Sequence, residues 1–352
     1  MAPKVLFHYP GIIQNNFNSG EGKRPFKMLN AFKEISDQVT EITGSYAERS
    51  EKWDEVKSSL SSFDCIYSEN SNLPLAVCNE KKLPKLKTCD FQLFKEAKKS
   101  KVPIGVFVRD LYWAMKGQKQ NPTIKNFIAL PFYKSEMKLY NKYASKIFVP
   151  TASFAPFQNI LEQSKIGVLP PGCDFSTSAK SLASKNLLYV GSCLPPTYDI
   201  TKLLNEIDQH KLSLNIVTRE KDHNYLNNNF NFQKNVHIQQ ANGNELEPIY
   251  KNTNFFLMLI EKTPYRELAM PLKVLESISF NCPIIAYDYG ETAKLIKENN
   301  LGWVIQEANQ LNELIEKITD GQYAEISNNL FKYAQENTWK DRANQILNEL
   351  VS

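Results

Sequence analysis

Residues 261–289 read E-K-T-P-Y-R-E-L-A-M-P-L-K-V-L-E-S-I-S-F-N-C-P-I-I-A-Y-D-Y. The apolar run Phe255–Ile260 just before them reads as a strand buried on both faces, and a polar loop follows it. Leu272–Phe280 has helical spacing, with Pro271-Leu272-Lys273 as its first turn, and Pro283–Tyr287 is a second buried strand. Strand, loop, helix and strand in that order make a βαβ unit of a parallel sheet. Lys273 and Glu276 stand three apart and so share one helix face. A lysine near a helix N-terminus adds to the positive potential of the free backbone N–H groups, which suits a phosphate or diphosphate. Glu276, one turn on, can accept two hydrogen bonds from a vicinal diol such as a ribose. The same two residues also read as a plain surface pair on a helix that begins with proline.

The alternation extends both ways along the chain. In the N-terminal half Val5–Tyr9, Val39–Ile42, Phe63–Tyr67, Pro103–Val108 and Lys146–Val149 read as strands. Arg24–Ile35, with Phe26, Leu29, Phe32 and Ile35 on one stripe and Pro25 in the first turn, reads as a helix, as does Phe127–Ala144. A second series begins after Pro170-Pro171-Gly172 and the Ser/Ala/Lys-rich stretch 176–185. It has strands at Leu187–Val190, Ser213–Val217 and Val236–Ile238, and helices at Ile200–Gln209, Glu245–Tyr250, Thr292–Asn299, Leu311–Thr319 and Trp339–Leu350. The expected class is therefore α/β, with two Rossmann-like, doubly wound βαβ domains at 1–175 and 176–337. Two such domains facing a central cleft would hold a ligand at the carboxyl ends of their strands.

Composition sets the outer bounds. With 352 residues, 42% hydrophobic and 23% charged, the chain is an ordinary globular protein; wholesale disorder, collagen-like repeats and coiled coil are excluded. The longest fully apolar run, Phe255–Ile260, is far short of the ~20 residues that span a bilayer. Met-Ala-Pro-Lys at the start lacks the pattern of a signal peptide. Six cysteines without a C-x-x-C pair, and four histidines, argue against zinc or a disulfide framework and suit a reducing cytoplasm. Residues 1–175 carry a net charge of +8 and residues 176–352 a net charge of −4. Lys81, Lys82, Lys85, Lys87, Lys95, Lys98, Lys99 and Lys101 supply much of the excess. Such a half suits an anionic surface, or else is a solvated lysine-rich helix face. Aromatics regularly interleaved with these lysines are missing, so nucleic acid is not expected and a membrane surface ranks above it.

P-x-K-x-x-E followed by C-P-I-I-A (Pro271–Ala286) resembles the nucleotide-sugar signature of GT-B glycosyltransferases of the large retaining family 4. Leu187–Ser192 (L-L-Y-V-G-S) resembles that family's strand opening the second domain, Val168–Asp174 its interdomain segment, and Asn244–Tyr250 its E-L-x-x-x-Y helix, all in the family's order. The resemblance implies a GT-B fold whose C-terminal helix, about 338–352, crosses back to the first domain. It implies that Lys273 binds the donor diphosphate and Glu276 the ribose, with Glu245 and Gly191 also on the donor side. The family's first glutamate would fall at Leu268; Glu267 stands one residue away, and the backbone of Ala269 and Met270 can serve the donor sugar instead. The family's Arg and Lys after the Leu187–Val190 strand have no counterpart in Gly191-Ser192-Cys193-Leu194-Pro195-Pro196, and Arg219 is the candidate that supplies that charge. Gly20 and Gly22, in a loop ending Ser19–Pro25, resemble the family's glycine loop. No histidine follows Pro103–Val108, so Arg109 or Asp110 stands in for the one many members carry, with Tyr112 and Trp113 as rings for sugar stacking and Glu69 as an acceptor-side group.

The function so implied is transfer of a hexose, with retention, from a nucleotide sugar. The donor would be UDP-linked and the acceptor a glycan, glycolipid or protein-linked group in bacterial surface polysaccharide or glycoconjugate synthesis. Lys273, Arg219 and Asp110 are the catalytic candidates. No D-x-D motif is evident, so no metal and no cofactor is expected. The enzyme would be cytoplasmic or peripheral at the inner face of the plasma membrane. Two other readings stay open: a non-catalytic GT-B subunit that stabilises a partner transferase, and an epimerase or phosphorylase of similar fold.

Overall fold

The computed structural model describes residues 2–14, 20–85, 87–114, 124–157, 160–174, 180–182, 184–195, 198–210, 212–232 and 234–351. Ser19, residues 176–179 and 183 of the 176–185 stretch, and Pro196 lie outside the described residues. The chain divides into two compact units, Met1–Pro171 with Trp339–Ser352, and Gly172–Thr338.

The first unit alternates β1 (Lys4–His8), α1 (Gly20–Ile35), β2 (Gln38–Ile42), α2 (Tyr46–Val56), β3 (Cys65–Glu69), α3 (Cys89–Lys99), β4 (Ile104–Phe107), α4 (Ile124–Tyr143), β5 (Lys146–Val149) and β6 (Ile166–Val168). Its sheet runs β2-β1-β3-β4-β5-β6, every pair parallel. Parallel strands are covered on both faces, and β3 and β4 accordingly have no exposed residue. Phe7, Phe32, Tyr67 and Phe148 form an aromatic chain through the core.

The second unit runs β7 (Leu187–Val190), α5 (Thr201–His210), β8 (Leu214–Val217), α6 (Glu220–Asn229), β9 (Val236–Gln239), α7 (Leu246–Lys251), β10 (Phe255–Met258), α8 (Pro264–Leu268), α9 (Leu272–Ser279), β11 (Ile284–Tyr287), α10 (Gly290–Asn299), β12 (Gly302–Ile305), α11 (Leu311–Lys317) and α12 (Asp320–Glu336). Its parallel sheet has the order β12-β11-β10-β7-β8-β9. The last helix, α13 (Trp339–Val351), belongs to the first unit, where it packs on α1, β3 and β4 and buries Trp339, Ala343, Ile346, Leu347 and Leu350.

Two local expectations are corrected. Helix α1 begins at Gly20, so Gly20 and Gly22 form its first turn rather than a loop, and Pro25 sits inside the helix rather than in that turn. An internal proline removes one helical hydrogen bond. Burial of Met28, Leu29, Ala31 and Phe32 holds the helix together across it. The polar loop after β10 contains a helical turn, α8, started by the hydroxyl of Thr263 accepting from the Arg266 N–H and by Pro264 at the first position.

Candidate functional site

In an open parallel sheet, ligands bind outside the carboxyl ends of the strands, where the strand order reverses. In the second unit that point lies between β7 and β10. The chain leaves β7 at Gly191 and β10 at Leu259, and returns through α8 to Pro271, which starts α9. Lys273 is in the first turn of α9, and its Nζ lies 2.8 Å from Glu276 Oε2. Lys273 keeps 32% of its side-chain surface exposed while Glu276 keeps 7%. The glutamate is thus fixed and the ammonium remains accessible. The buried Tyr250 hydroxyl has its pKa raised first by desolvation and then by the Glu276 carboxylate.

The loop after β7 is closed from the side of β8. Asp222, 1% exposed, accepts from the Ser192 hydroxyl and from the Cys193 N–H at 2.6 Å. The Thr218 hydroxyl donates to the Gly191 carbonyl at 2.7 Å, and Tyr189 donates to the Ser192 carbonyl at 2.6 Å. Arg219 precedes α6 as its N-cap residue, at the carboxyl end of β8; its side chain is 64% exposed, with Nε 3.8 Å from Asp222. A second cation stands nearer the switch point. Arg266, on α8, lies over the Tyr198 ring with its Cζ 4.3 Å from the centroid, and its Nε and Nη2 are buried with no hydrogen-bond partner among the described residues. Its charge also acts on the Tyr189 hydroxyl at the end of β7. Nothing in the sequence singles out Arg266, one residue from Glu267; its place beside the β7 aromatic Tyr189 is visible only in three dimensions.

Glu267 is exposed, and its Oε2 receives the Tyr289 hydroxyl at 3.4 Å. Gly290, at φ +68°, packs so closely on α8 that a Cβ there would lie 2.7 Å from Glu267 Cα and 2.9 Å from the Arg266 carbonyl oxygen. Ala269 ends α8 in extended conformation, and Met270 packs beside the buried core of this unit. Glu245 is spent locally: its Oε2 accepts from the Asn242 N–H at 2.9 Å, closing the turn before α7.

In the first unit the strand order reverses between β1 and β3. Glu69, the last residue of β3, is fully buried. Its Oε1 accepts from the Tyr67 hydroxyl at 2.9 Å and lies 3.1 Å from Arg24 Nε. Desolvation raises the Glu69 pKa, against the pull of Arg24 and Arg109. Arg24, 3% exposed, has its guanidinium over the Phe107 ring at 3.5 Å. Glu69 therefore faces Arg24 rather than solvent. Arg109 and Asp110 are half-buried just past β4, with the Arg109 N–H donating to Asn70 Oδ1 at 2.9 Å. Trp113 has one ring face against Tyr133, 5.4 Å between centroids and 13° between planes, so only its other face is left for a sugar. The Tyr112 ring is outside the described side chains.

Behind these strands lies a buried polar network. Asp90 accepts from His8, which also meets Ser68, and is held by Arg49 at 2.8 Å. Burial opposes its ionisation, but the His8 and Arg49 contacts hold its carboxyl at about 2. Glu136, 1% exposed, is pushed up to about 7 by burial. Among the described residues, no three His, Cys, Asp or Glu side chains converge so as to hold a metal ion, and no helix is long and apolar enough to cross a membrane.

Residues 187–349 match the family described as "glucosyltransferase 3-like, C-terminal domain". No curated protein matches the sequence. Among solved structures, HepE of Anabaena in complex with UDP-glucose is similar over 99% of each chain, with a TM-score of 0.62 and 15% identity. WaaG, a glycosyltransferase involved in lipopolysaccharide biosynthesis, is similar over 99% of this chain and 100% of its own, with a TM-score of 0.64 and 15% identity. The lipopolysaccharide outer core galactosyltransferase WaaB is similar over 99% of this chain and 100% of its own, at 0.56 and 11%. The chain has the GT-B fold, and residues 187–349 are similar to the glucosyltransferase 3-like C-terminal domain.

Proposed function

We propose that this glycosyltransferase moves a hexose from a nucleotide sugar, UDP-linked, to a glycan, glycolipid or protein-linked acceptor in bacterial surface polysaccharide or glycoconjugate synthesis. The observation that carries the reading is the pair on α9: an accessible Lys273 in the first turn, beside the β7–β10 switch point, and a buried Glu276 one turn on. Lys273 and the first N–H groups of α9 would hold the diphosphate, and Glu276 the ribose hydroxyls. Arg266 and Arg219 are the two cations that can meet the charge growing on the leaving phosphate. Glu267 and the backbone at Ala269 and Met270 would face the donor sugar. Arg109, Asp110 and the free face of Trp113 are the acceptor-side groups, with Glu69 and Arg24 positioning them from below. The solved complex of HepE with UDP-glucose and the lipopolysaccharide role of WaaG favour this donor and this setting.

The reading is of a retaining, metal-independent transfer. The bond from the anomeric carbon to the diphosphate breaks while the acceptor oxygen bonds on the same face. The acceptor's proton passes to the departing phosphate oxygen, so no separate carboxylate base is needed. The charge of residues 1–175 suits an enzyme peripheral at an anionic membrane surface. Lys273→Ala should lower transfer by roughly a hundred- to a thousand-fold and abolish UDP binding in calorimetry. Transfer at the wild-type rate would refute the site.

The second reading, a non-catalytic GT-B subunit, is favoured by one feature: the segment after β7 carries no Lys or Arg and is closed by Asp222. Calorimetry with UDP separates the two, since a degenerate subunit would bind little.

A further inference from the structure

Residues 81–146 carry 16 Lys and Arg against four Asp and Glu, whereas the rest of 1–175 carries 9 against 13. The whole positive excess of that half therefore belongs to one segment, which includes α3, β4 and α4. Two of its four acids face inward: Asp90 toward His8 and Arg49, and Glu136 toward Tyr140 and the Leu75 N–H. Outside, α3 and α4 pack side by side and expose Lys95, Lys98 and Lys99 on one helix and Lys134, Lys138 and Lys142 on the other.

Two cavities open on this face. One, about 260 Å³, is lined by Lys98, Lys101, Lys142, Lys165 and Tyr143, among others. The other, about 360 Å³, is lined by Phe91, Lys95, Lys138, Leu139, Lys142 and Tyr143, with Ser135. They share Lys142 and Tyr143 and so adjoin one another. The ammonium groups of Lys98 and Lys142 lie 5.9 and 5.3 Å from the Tyr143 ring centroid. Part of this charge is used locally. Lys98 donates to the Lys142 carbonyl at 3.0 Å, Lys165 donates to the Asn141 carbonyl, Glu96 pairs with Lys99 and Glu162 with Lys165. Lys95, Lys101, Lys134, Lys138 and Lys142 have no acidic partner among the described residues.

The α4 lysines stand four apart, a spacing at which like charges oppose the helix. Folding stability would intersperse acids there, so the face is fitted to something outside the chain. Its first cavity lies at the amino ends of β4, β5 and β6, the opposite end of the sheet from Glu69 and Arg109.

We infer that the α3–α4 lysine face seats this protein on an anionic lipid bilayer, with headgroup phosphates in the paired cavities and Tyr143 at headgroup depth. Clustered lysines against acidic lipid are additive in attraction, and an amphipathic ring suits the interface. A nucleic acid fits less well, because one tyrosine does not make a stacking platform for successive bases. The inference rests on the reading of the chain as a peripheral enzyme.

The test is co-sedimentation with vesicles of phosphatidylcholine alone and of phosphatidylcholine with phosphatidylglycerol. It compares wild type, the face variant Lys95→Glu/Lys138→Glu/Lys142→Glu, and an equal charge change elsewhere, Lys234→Glu/Lys294→Glu/Lys332→Glu. Wild type and the control should bind only the phosphatidylglycerol vesicles, with salt weakening the binding. The face variant should lose on the order of a hundred-fold in partitioning and keep wild-type UDP binding. If wild type does not sediment, the peripheral reading and the inference both fall, while the donor site stands on its UDP binding. If the face variant sediments like wild type, the membrane reading survives and the assignment of the face is wrong. Tighter binding of a single-stranded oligonucleotide than of vesicles at this face would also overturn it.

Discussion

Arg266 and Arg219 answer the same need in different ways. Arg219 is a solvated cation at the head of α6, while Arg266 is pressed on Tyr198 with two donors unmet among the described residues. A buried guanidinium held by its neighbours loses less freedom on binding an anion than an exposed one. Arg266→Ala should therefore reduce kcat/KM by at least about ten-fold more than Arg219→Ala, and Arg266→Lys should recover little of it. Steady-state kinetics with the same donor would reveal an equal or reversed order. Glu136 tests a different property. Its carboxyl is raised from 4.5 to about 7, so the folded state holds a proton that the unfolded chain releases. Its contribution is present below about pH 4.5 and is lost as pH rises toward 7. Glu136→Gln should stabilise the first unit at pH 7.5 by up to about 3 kcal/mol and change little at pH 4.5. Urea midpoints at the two pH values measure this, and equal effects at both would show that the carboxyl is not perturbed.

At the scale of elements, α8 is the piece that places Arg266 and Glu267, and it is five residues long. So short a helix does not stand by its own hydrogen bonds. Thr263 and Pro264 start it, and Gly290 at the head of α10 lets it lie flat, since that residue combines a left-handed φ with contact at 2.7 Å. Gly290→Ala should displace α8. We expect a loss of about 2–4 kcal/mol in the second unit and a rise in donor KM larger than the fall in kcat. An unchanged KM would mean that α8 does not shape the donor site. Seven elements are weakly written in the sequence. Helices α2 and α6 bury few residues, β6 has three, β12 opens on a glycine, α3 carries Asp90 on its buried face, α8 opens on proline, and α12 has Ser327 in its apolar stripe. Helix α2 is instead fixed by its Ser45–Glu48 capping box.

On the scale of the molecule, α13 is the last segment of the chain but part of the first unit. It buries four large apolar side chains there, at roughly 1.5–3 kcal/mol each, which is comparable to the whole stability of a domain. Deleting residues 339–352 should unfold the first unit and leave residues 172–338 folded. Hydrogen exchange resolved along the chain would detect this, and retained protection in β1, β3 and β4 would contradict it.

Residue order alone sets the alternation of strands and helices, because fully buried parallel strands are short apolar runs and the crossover helices carry apolar stripes. It also determined Lys273 and Glu276 as a pair, since a separation of three residues fixes their shared face wherever the helix lies. Which groups are reachable depends on how the elements pack. Glu69 follows a strand as an acceptor-side carboxylate should, yet it faces Arg24 in the interior. Glu245 closes a turn, one face of Trp113 is taken by Tyr133, and Gly20 and Gly22 open a helix. Arg266 gains its place from the crossing of the β7 and β10 segments, and the lysines of 81–146 become a face only when α3 packs on α4. Periodicity is a property of neighbours along the chain. Burial and charge pairing are set by residues that chain order holds far apart.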